Sequence, residues 1–291
     1  MLELIYRNAP FGKKNLYLLI NYFLKRTGIS FITRTRYGFK IYTNTTDFIQ
    51  RAVFNFGVWE PDVSAAISKM LKPGDLFVDV GANIGYYTLL ASKIVGRTGE
   101  VISIEAHPNI FRLLNKNVEL NSVDNVTTIN IAVSDLEKEI EFFTGPQKSL
   151  GESTTVSKRG FTSIGKVAAK PITHIISHDK LRKISLIKID IEGAEAEVLR
   201  DIMSNIELFP KDLKIICEIA SESEDRNYIF DTLKSHGFLA YAVHNDYSET
   251  YYFNWTAGKV PVRISEIPLE QCDIIFSRND ISGLIGSNRK N

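Results

Sequence analysis

The chain lacks the features that mark most specialised protein classes. It holds only two cysteines in 291 residues, Cys217 and Cys272, each inside an apolar run ("KIICEIA", "QCDIIFS") and neither in a Cys-x-x-Cys pair. That excludes a disulfide scaffold and reads as two buried thiols behaving as small hydrophobes. Neither sign of charge dominates: 35 Lys and Arg stand against 34 Asp and Glu. A dedicated nucleic-acid binder would carry a basic stripe, and Arg34, Arg36 and Lys40 are too sparse to make one, so they read as a solvated strand face. No apolar run approaches the ~20 residues that span a bilayer. Near the N-terminus, Leu16 to Leu24 is nine residues long and interrupted by Asn21. No small-residue cleavage site follows, which counts against a signal peptide and leaves the cytoplasm as the default compartment. Leu16, Leu19, Ile20, Phe23 and Leu24 recur at helical spacing. They predict an amphipathic helix docked on the main domain, with membrane-surface contact as the alternative. Whether this helix mediates a homodimer is left open.

What is present is alternation. Two short β-like runs, "ISFIT" and "GFKIYTN", precede a helix expected over Asp62 to Leu71, which stops at the breaker Lys72-Pro73-Gly74. Strands are then expected at Leu76–Val80, Glu100–Glu105, Val126–Ala132, Leu186–Asp190, Lys214–Ile219, Leu239–Val243 and Asp273–Ser277. Helices fit between them at Gly85–Val95, Pro108–Asn121, Ala194–Asn205 and Ser223–His236, with Gly237 as a C-terminal cap. Strands alternating with helices argue for a parallel α/β sheet with crossover helices on both faces. Between Ser134 and Leu181 the alternation fails. "EKEIEFFTG" and "ESTTVSK" read as two extra strands, and "RGFTSIGKVAAK" as a flexible connector. The organisation expected is an N-terminal helix-and-strand extension (1–61), one α/β domain (62–286) and a frayed tail (287–291).

The stretch "FVDVGANIGYYTLLAS" places a glycine turn between an apolar strand and a helical pattern. Glycines let backbone approach a ligand closely, and the helix start offers unsatisfied N–H groups. The turn reads Gly81-x-Asn83-x-Gly85 rather than G-x-G-x-x-G, and a carboxylate, Asp79, closes the strand before it. A carboxylate there opposes a pyrophosphate but suits a cofactor carrying an α-amino group and a sulfonium, as S-adenosyl-L-methionine does. Glu105 lies 20 residues after Gly85 at the end of the second strand, the spacing of a carboxylate that holds ribose hydroxyls.

"FVDVGANIGYYTLLAS", "VISIEAHPNIFRLLNKNVELN", "INIAVSD" and "ISLIKIDIEGAEAEVLRDI" together resemble, in order, the landmarks of the FkbM-type S-adenosylmethionine-dependent methyltransferases. "FNFGVWEPDVSAAISKMLKPGD" resembles that family's approach to the first strand, and the likeness runs from about Asp47 to Val243. It implies a class I methyltransferase, Rossmann-like fold with a seven-stranded, mostly parallel sheet whose last strand is antiparallel. It further implies methyl transfer to a hydroxyl of a sugar, polysaccharide, glycolipid or polyketide-type acceptor. By the same resemblance Asp79, Gly81, Asn83 and Gly85 line the cofactor's amino-acid side, Thr88 follows on the first helix, and Glu105, with Ala106 beside it, takes the ribose. Glu60, in "WEP", folds over the methionine end, Ala132, Val133 and Ser134 sit beside the adenine, and Asp190 points into the crevice. The sequence departs from the family at "EAHP", where His107 alters the adenine side. It departs again at "PITHIISHD" and the insertion before it, where acceptor recognition is expected.

An alcohol is a poor nucleophile, so a base to accept its proton is expected. In "KIDIEGAEAE", Asp190 and Glu192 flank the strand end and are the catalytic candidates, whereas Glu195 and Glu197 read as favourable charge at a helix start. A metal-assisted O-methyltransferase is a rival reading, with Glu218 as the best third carboxylate; no metal ligand set is assigned. His174 and His178 are four apart, but their surroundings read as strand rather than as a metal-binding helix. Tyr86, Tyr87 and Trp59 neighbour the expected pocket, and "HNDYSETYYFNW" reads as a loop able to cover an acceptor. Three other functions stay as alternatives. A base-amine methyltransferase lacks its D/N-P-P-Y motif, because "DIEG" occupies that place. A nicotinamide oxidoreductase would need a different glycine pattern. A non-catalytic, small-molecule-binding Rossmann-like module would not need the acidic positions.

Overall fold

Leu76, Phe77, Val78, Asp79 and Val80 are all buried, as in a strand covered on both faces. They form β3 of a computed structural model that describes residues 13–144, 153–154, 162–191, 193–220 and 225–283. The preceding elements are α1 (Lys13–Thr27), β1 (Ser30–Arg34), β2 (Lys40–Asn44), α2 (Phe48–Phe56) and α3 (Pro61–Met70). Asp47 caps α2, its side chain accepting from the Gln50 N–H, and Gly57 ends that helix at φ 68°. After β3 come α4 (Tyr86–Val95), β4 (Glu100–Ile104), α5 (Pro108–Leu120) and β5 (Val126–Ile129). The insertion supplies β6 (Ala132–Val133), β7 (Lys138–Thr144), β8 (Ser153–Thr154), β9 (Thr162–Lys170), α6 (Ile172–Ile175) and α7 (His178–Leu181). The chain continues through β10 (Ile184–Ile189), α8 (Glu195–Ser204), β11 (Lys214–Ile219), α9 (Arg226–Ser235) and β12 (Leu239–Val243). It closes with α10 (Glu249–Asn254), β13 (Val262–Ile264) and β14 (Cys272–Ser277).

The main sheet runs β13-β12-β14-β11-β10-β3-β4-β5. From β5 to β11 its neighbours are parallel, and β14 enters antiparallel to both β11 and β12. This is the expected seven-stranded α/β sheet of the class I type, extended by the short antiparallel edge strand β13. The expected strands Lys214–Ile219 and Leu239–Val243 have those bounds, while the expected Val126–Ala132 strand divides into β5 and β6.

Side chains on successive strand residues point to opposite faces, and the core divides accordingly. Phe77, Leu186, Ile216, Tyr241 and Ile275 join one cluster with Val63, Ile67, Leu89 and Leu90 of α3 and α4. Val78, Ile187, Ile215, Ala240 and Ile274 join the other with Val198, Leu199, Phe230 and Leu233 of α8 and α9. Phe39, Ile41, Val53 and Phe56 belong to the first cluster, so β2 and α2 share the core of the main sheet.

Three expectations are corrected. The face of α1 expected to dock does so only in part: among its described side chains Leu24 is buried and Ile20 half-buried, while Leu19 and Phe23 are exposed. Asn21 takes the inner position, its Nδ2 donating to Glu249 Oε1 at 2.8 Å. The "RGFTSIGKVAAK" connector is largely strand, since β9 pairs antiparallel with all of β7 and parallel with β6 in a second sheet. Backbone pairing with β7 outweighs the weak local propensity of Gly165 and the two alanines. Finally, His174 and His178 sit on two separate single-turn helices, α6 and α7, and His174 Nδ1 lies 3.0 Å from Glu137 Oε1. Glu192, most of "ESTTVSK" and the tail 287–291 lie outside the described residues.

Candidate active site

The parity that divides the core also gathers polar groups on one face. Asp79 follows Phe77 by two residues, Lys188 and Asp190 follow Leu186 by two and four, Glu218 follows Ile216, and Asp273 precedes Ile275. Register brings them side by side: Asp79 pairs with Lys188 across β3 and β10, and Glu218 pairs with Asp273 across β11 and β14. These positions lie toward the carboxyl ends of β3, β10 and β11, the ligand edge of an open α/β sheet.

Lys188 is 2% exposed, and its Nζ donates to Asp190 Oδ2 at 2.6 Å. The ammonium also lies 4.7 Å from the Tyr87 ring centroid. Burial alone would lower this ammonium, but Asp190, Glu60, Asp273 and Asp79 hold it well above the usual lysine range. Burial would likewise raise Asp190, yet Lys188 and a hydrogen bond from Glu218 hold that carboxyl below its ordinary value. Glu218 is pushed well up by burial and by the Asp190 and Asp273 carboxylates, so it carries the proton of its bond to Asp190. Burial and the Glu60 carboxylate raise Asp273 to about 8. The Lys188–Asp190 pair differs in kind from Arg97–Asp124, which is 3.6 Å apart with both side chains mostly exposed. A surface pair of that sort contributes under ~1 kcal/mol.

Glu60 arrives from the turn before α3 with φ 38°, a left-handed conformation uncommon outside glycine. Three tyrosines hold it there. Tyr87 donates to Oε2 at 2.5 Å and Tyr247 to Oε1 at 2.8 Å, while the Tyr252 hydroxyl accepts from the Glu60 N–H at 3.1 Å. Burial raises the Glu60 carboxyl, with Lys188 opposing. Backbone strain fixed by surrounding hydrogen bonds is characteristic of ligand sites. Tyr247 stacks on Trp59 at 5.5 Å, and Phe48 meets Trp59 edge-on at 5.8 Å. The "HNDYSETYYFNW" segment therefore lies over Glu60, and it is pinned by Asp62. That carboxylate accepts from Trp255 Nε1 at 3.0 Å, the Lys259 N–H at 2.8 Å and the Tyr251 hydroxyl.

The glycine turn is shaped by close approach. At Gly81, φ is +83° and an added Cβ would stand 1.9 Å from the Asp190 carbonyl oxygen, so only glycine fits between β3 and β10. At Gly85, φ is +88° and a Cβ would meet Leu114 Cδ1 at 2.6 Å. Asn83 takes φ 49°, and its N–H donates to Glu105 Oε2 at 2.9 Å. Glu105 Oε1 accepts from the His107 N–H at 2.8 Å, and Asn130 Nδ2 holds the Glu105 and Ala106 carbonyls at 2.7 and 3.0 Å. His107 caps α5 by accepting from the Asn109 N–H. Burial raises Glu105 to about 7, with the two N–H donors opposing, and raises Asp79 to about 6, with Lys188 opposing. Thr88 is fully buried behind Asp79, donating to its Oδ2 at 2.7 Å and lying 2.8 Å from Ser103 Oγ.

The turn, Asp79 and Glu105 thus lie at the β3–β4 side, and Glu60, Asp190, Glu218 and Asp273 at the β10–β11–β14 side. Ala132, Val133 and Ser134 are all buried where β6 meets β9, and Ser134 Oγ donates to Glu197 Oε2 at 2.6 Å. Glu197 is therefore paired with Ser134 and Lys138 rather than only charging the helix start. Glu195 folds back to accept from the Gly193 and Ile191 N–H groups. Sequence reasoning missed Lys188 and Asp273. The available signal was a lone cation inside the apolar run "SLIKI", two residues before an acid and hence on its face. Glu60, Glu218 and Asp273 each offer an oxygen within 4.8 Å of the others, a spacing compatible with a metal ion. The Lys188 ammonium already acts as the cation of that cluster.

The donor chemistry fits S-adenosylmethionine. Four carboxyl groups, Glu60, Asp79, Asp190 and Asp273, act on one ammonium, and Glu218 bonds to Asp190, beside a backbone cradle that excludes Cβ. A donor with ammonium and sulfonium groups would draw these raised carboxyls into their ionised forms, whereas a pyrophosphate would oppose that ionisation. Among the described residues, no helix is long and apolar enough to cross a membrane.

Comparison with known proteins agrees with the expected resemblance. The family model described as the methyltransferase FkbM domain matches residues 79–240, more than half of the chain. Methyltransferase 1 of Beauveria bassiana is 26% identical over 149 residues, covering 45% of this chain and 59% of that protein. The hexuronic acid methyltransferase AglP of Haloferax volcanii is 24% identical over 148 residues, covering 51% of this chain and 58% of that protein. The matches thus span under two thirds of either relative. A solved structure of methyltransferase FkbM from Methylobacillus flagellatus is 16% identical, covering 93% of this chain and 62% of that one, with a TM-score of 0.44. With a family match that starts at Asp79 and ends at Ala240, at the start of β12, the chain belongs to the FkbM methyltransferase family.

Proposed function

We propose that the chain is an S-adenosylmethionine-dependent O-methyltransferase acting on a hydroxyl of a carbohydrate-containing or secondary-metabolite acceptor. The observation that carries this reading is the set of buried carboxyl groups around Lys188 at the end of a glycine turn. Bound S-adenosylmethionine supplies a methyl carbon made electrophilic by positive sulfur. Asp79 and the 81–85 backbone would receive its amino-acid part. Glu105 already accepts one backbone N–H on each oxygen and retains acceptor capacity for two ribose hydroxyls. Ala106, Ala132, Val133 and Ser134 would flank the adenine, and Glu60 would close over the methionine end.

Positioning of the acceptor oxygen would supply most of the rate, because the methyl carbon needs no further activation. Asp190 would take the departing proton. Lys188 keeps that carboxylate ionised, and the Asp190 side chain is 25% exposed at the strand end, so an acceptor can reach it. A carboxylate of low basicity suits a proton that leaves late, after the new C–O bond has begun to form. The hexuronic acid methyltransferase among the relatives supports a glycan acceptor. The exposed Tyr247 ring, backed by buried Trp59, offers a flat face for a sugar ring. The two buried free cysteines support a reducing, cytoplasmic setting. The acceptor is read as a small molecule or glycan rather than a nucleic acid, given the near-neutral charge.

The test is incubation with methyl-labelled donor and fractionated glycans or sugar nucleotides. Label in a base-stable methyl ether is expected, and Asp190→Asn should lower kcat by roughly 10²–10⁴. Label found only on amines, or unchanged turnover in that variant, contradicts the assignment.

A further inference from the structure

Helix α1 leaves large apolar side chains outside and a polar one inside, which packing on its own domain does not explain. Leu19, Tyr22 and Phe23 are each 54–57% exposed, while polar Asn21 faces inward and is 3% exposed. Residues 19, 22, 23 and 26 follow i, i+3, i+4 and i+7, so three large apolar side chains and Arg26 form one continuous stripe. The Arg26 guanidinium lies 3.7 Å over the Tyr22 ring, and the neighbouring Lys25 is exposed. Scattered exposed apolar residues need no explanation, but a stripe of them marks an interaction surface.

Charge identifies what covers it. Residues 13–46 contain Lys13, Lys14, Lys25, Arg26, Arg34, Arg36 and Lys40 and no Asp or Glu, whereas the whole chain is nearly neutral. The hairpin after α1 adds a second observation. Arg34 stands directly opposite Lys40 in the β1–β2 register, and both are exposed. Like charges directly opposite in a sheet are destabilising, and among the described residues no carboxylate pairs with either. On the same outer face, exposed Ile32 stands opposite half-buried Tyr42. Folding alone gives no reason for such a pair; an anionic partner does. A second copy of this chain is disfavoured, because its own cationic segment would face this one.

We propose that α1 and the outer face of the β1–β2 hairpin form a docking surface for anionic lipid, with Leu19, Tyr22 and Phe23 entering the headgroup boundary. Helices with an apolar face and flanking cations bind in this way, lying along a membrane rather than crossing it. Each cation near an anionic leaflet strengthens binding about fivefold, equivalent to ~1 kcal/mol. Asn21 ties α1 to Glu249 of α10, the helix that follows Tyr247, so docking would bring the lip of the crevice near the lipid surface. The proposal does not depend on the methyl-transfer reading.

The test is co-sedimentation of the full chain with two kinds of vesicle. One contains a phosphatidylglycerol–phosphatidylcholine mixture and the other phosphatidylcholine alone. Binding to the anionic vesicles, released by salt, is expected. The double variant Tyr22→Ser/Phe23→Ser should lose about tenfold or more in affinity while keeping the wild-type melting temperature. Arg34→Glu is the sharper arm: it should weaken vesicle binding roughly tenfold or more and raise the melting temperature, because it replaces a like-charge pair by an opposite one. Three results overturn the proposal: no vesicle binding, equal binding to both vesicle types, or a wild-type dimer that Phe23→Ser dissociates.

Discussion

The Lys188 ammonium, on β10, and the carboxylate of Asp190, the residue that follows that strand, form a 2.6 Å ion pair at the end of the strand. Removing one partner of a buried pair leaves the other uncompensated, at a typical cost of 3–5 kcal/mol. Asp190 is a quarter exposed, so Lys188→Met should cost about 3 kcal/mol in urea denaturation, the lower end of that range. Adding Asp190→Asn should recover part of that loss, a non-additivity that a double-mutant cycle reads directly. Without the ammonium the Asp190 carboxyl rises, so the acidic limb of any kcat/KM profile should move to higher pH. Additive losses, or an unmoved limb, would show that the pair does not act as a unit.

Gly81 gives a steric prediction. A Cβ at this position would occupy the space of the Asp190 carbonyl oxygen, which is backbone and cannot rotate away, and the φ of +83° adds strain. Gly81→Ala should therefore destabilise by about 3 kcal/mol or more and abolish cofactor binding. Gly237→Ala, at the end of α9, shares a positive φ (+82°) but meets nothing within 4 Å, so it should cost only about 1 kcal/mol. Equal melting temperatures for the two variants would contradict the steric account.

The buried carboxyls set a pH dependence. Asp79, Glu105 and Asp273 are raised to about 6, 7 and 8, chiefly by burial. Their protonated forms are favoured in the fold, so the stability they contribute is full below pH 4 and is lost as pH rises through 6 to 8. A cationic donor favours the ionised forms. The rise in melting temperature caused by S-adenosylmethionine should thus be larger at pH 8 than at pH 5.5, as differential scanning fluorimetry would read. A larger rise at pH 5.5 would show that the donor does not engage these groups.

The parts legible in the sequence were local. The strand at Lys214–Ile219 announces itself by an apolar run, and the Gly81–Gly85 turn with Asp79 and Glu105 by fixed spacing along the chain. What stayed hidden depends on register between distant strands. Lys188 looks like an ordinary half-exposed strand residue until β3, β11 and β14 take their places and leave it buried beside four carboxyl groups. Asp273 becomes a site residue only because β14 enters antiparallel next to Glu218. For α1, periodicity revealed the amphipathic helix but not which way it faced. The packed side is marked by long-range hydrogen bonds, from Asn21 Nδ2 to Glu249, from Asn55 to Asn21 Oδ1 and from Thr45 to the Leu24 carbonyl.

The carboxylate trio Glu60, Glu218 and Asp273 permits a test of metal dependence. Because Lys188 supplies the positive charge in this cluster, methyl transfer should be unchanged after exhaustive chelation and unaffected by added Mg²⁺. Activity lost to chelator and restored by Mg²⁺ would assign the cluster to a metal-assisted mechanism instead.

Titration calorimetry tests the central claim, that the Asp79–Glu105 side of the crevice binds a cationic methyl donor. The wild-type chain should bind S-adenosylmethionine and S-adenosylhomocysteine at one site and give no heat with NADH. Glu105→Gln, which loses the charge, should weaken both by about 10–100-fold, the loss of a charge-assisted hydrogen bond. NADH binding in place of S-adenosylmethionine, or affinity unchanged in Glu105→Gln, would contradict the account.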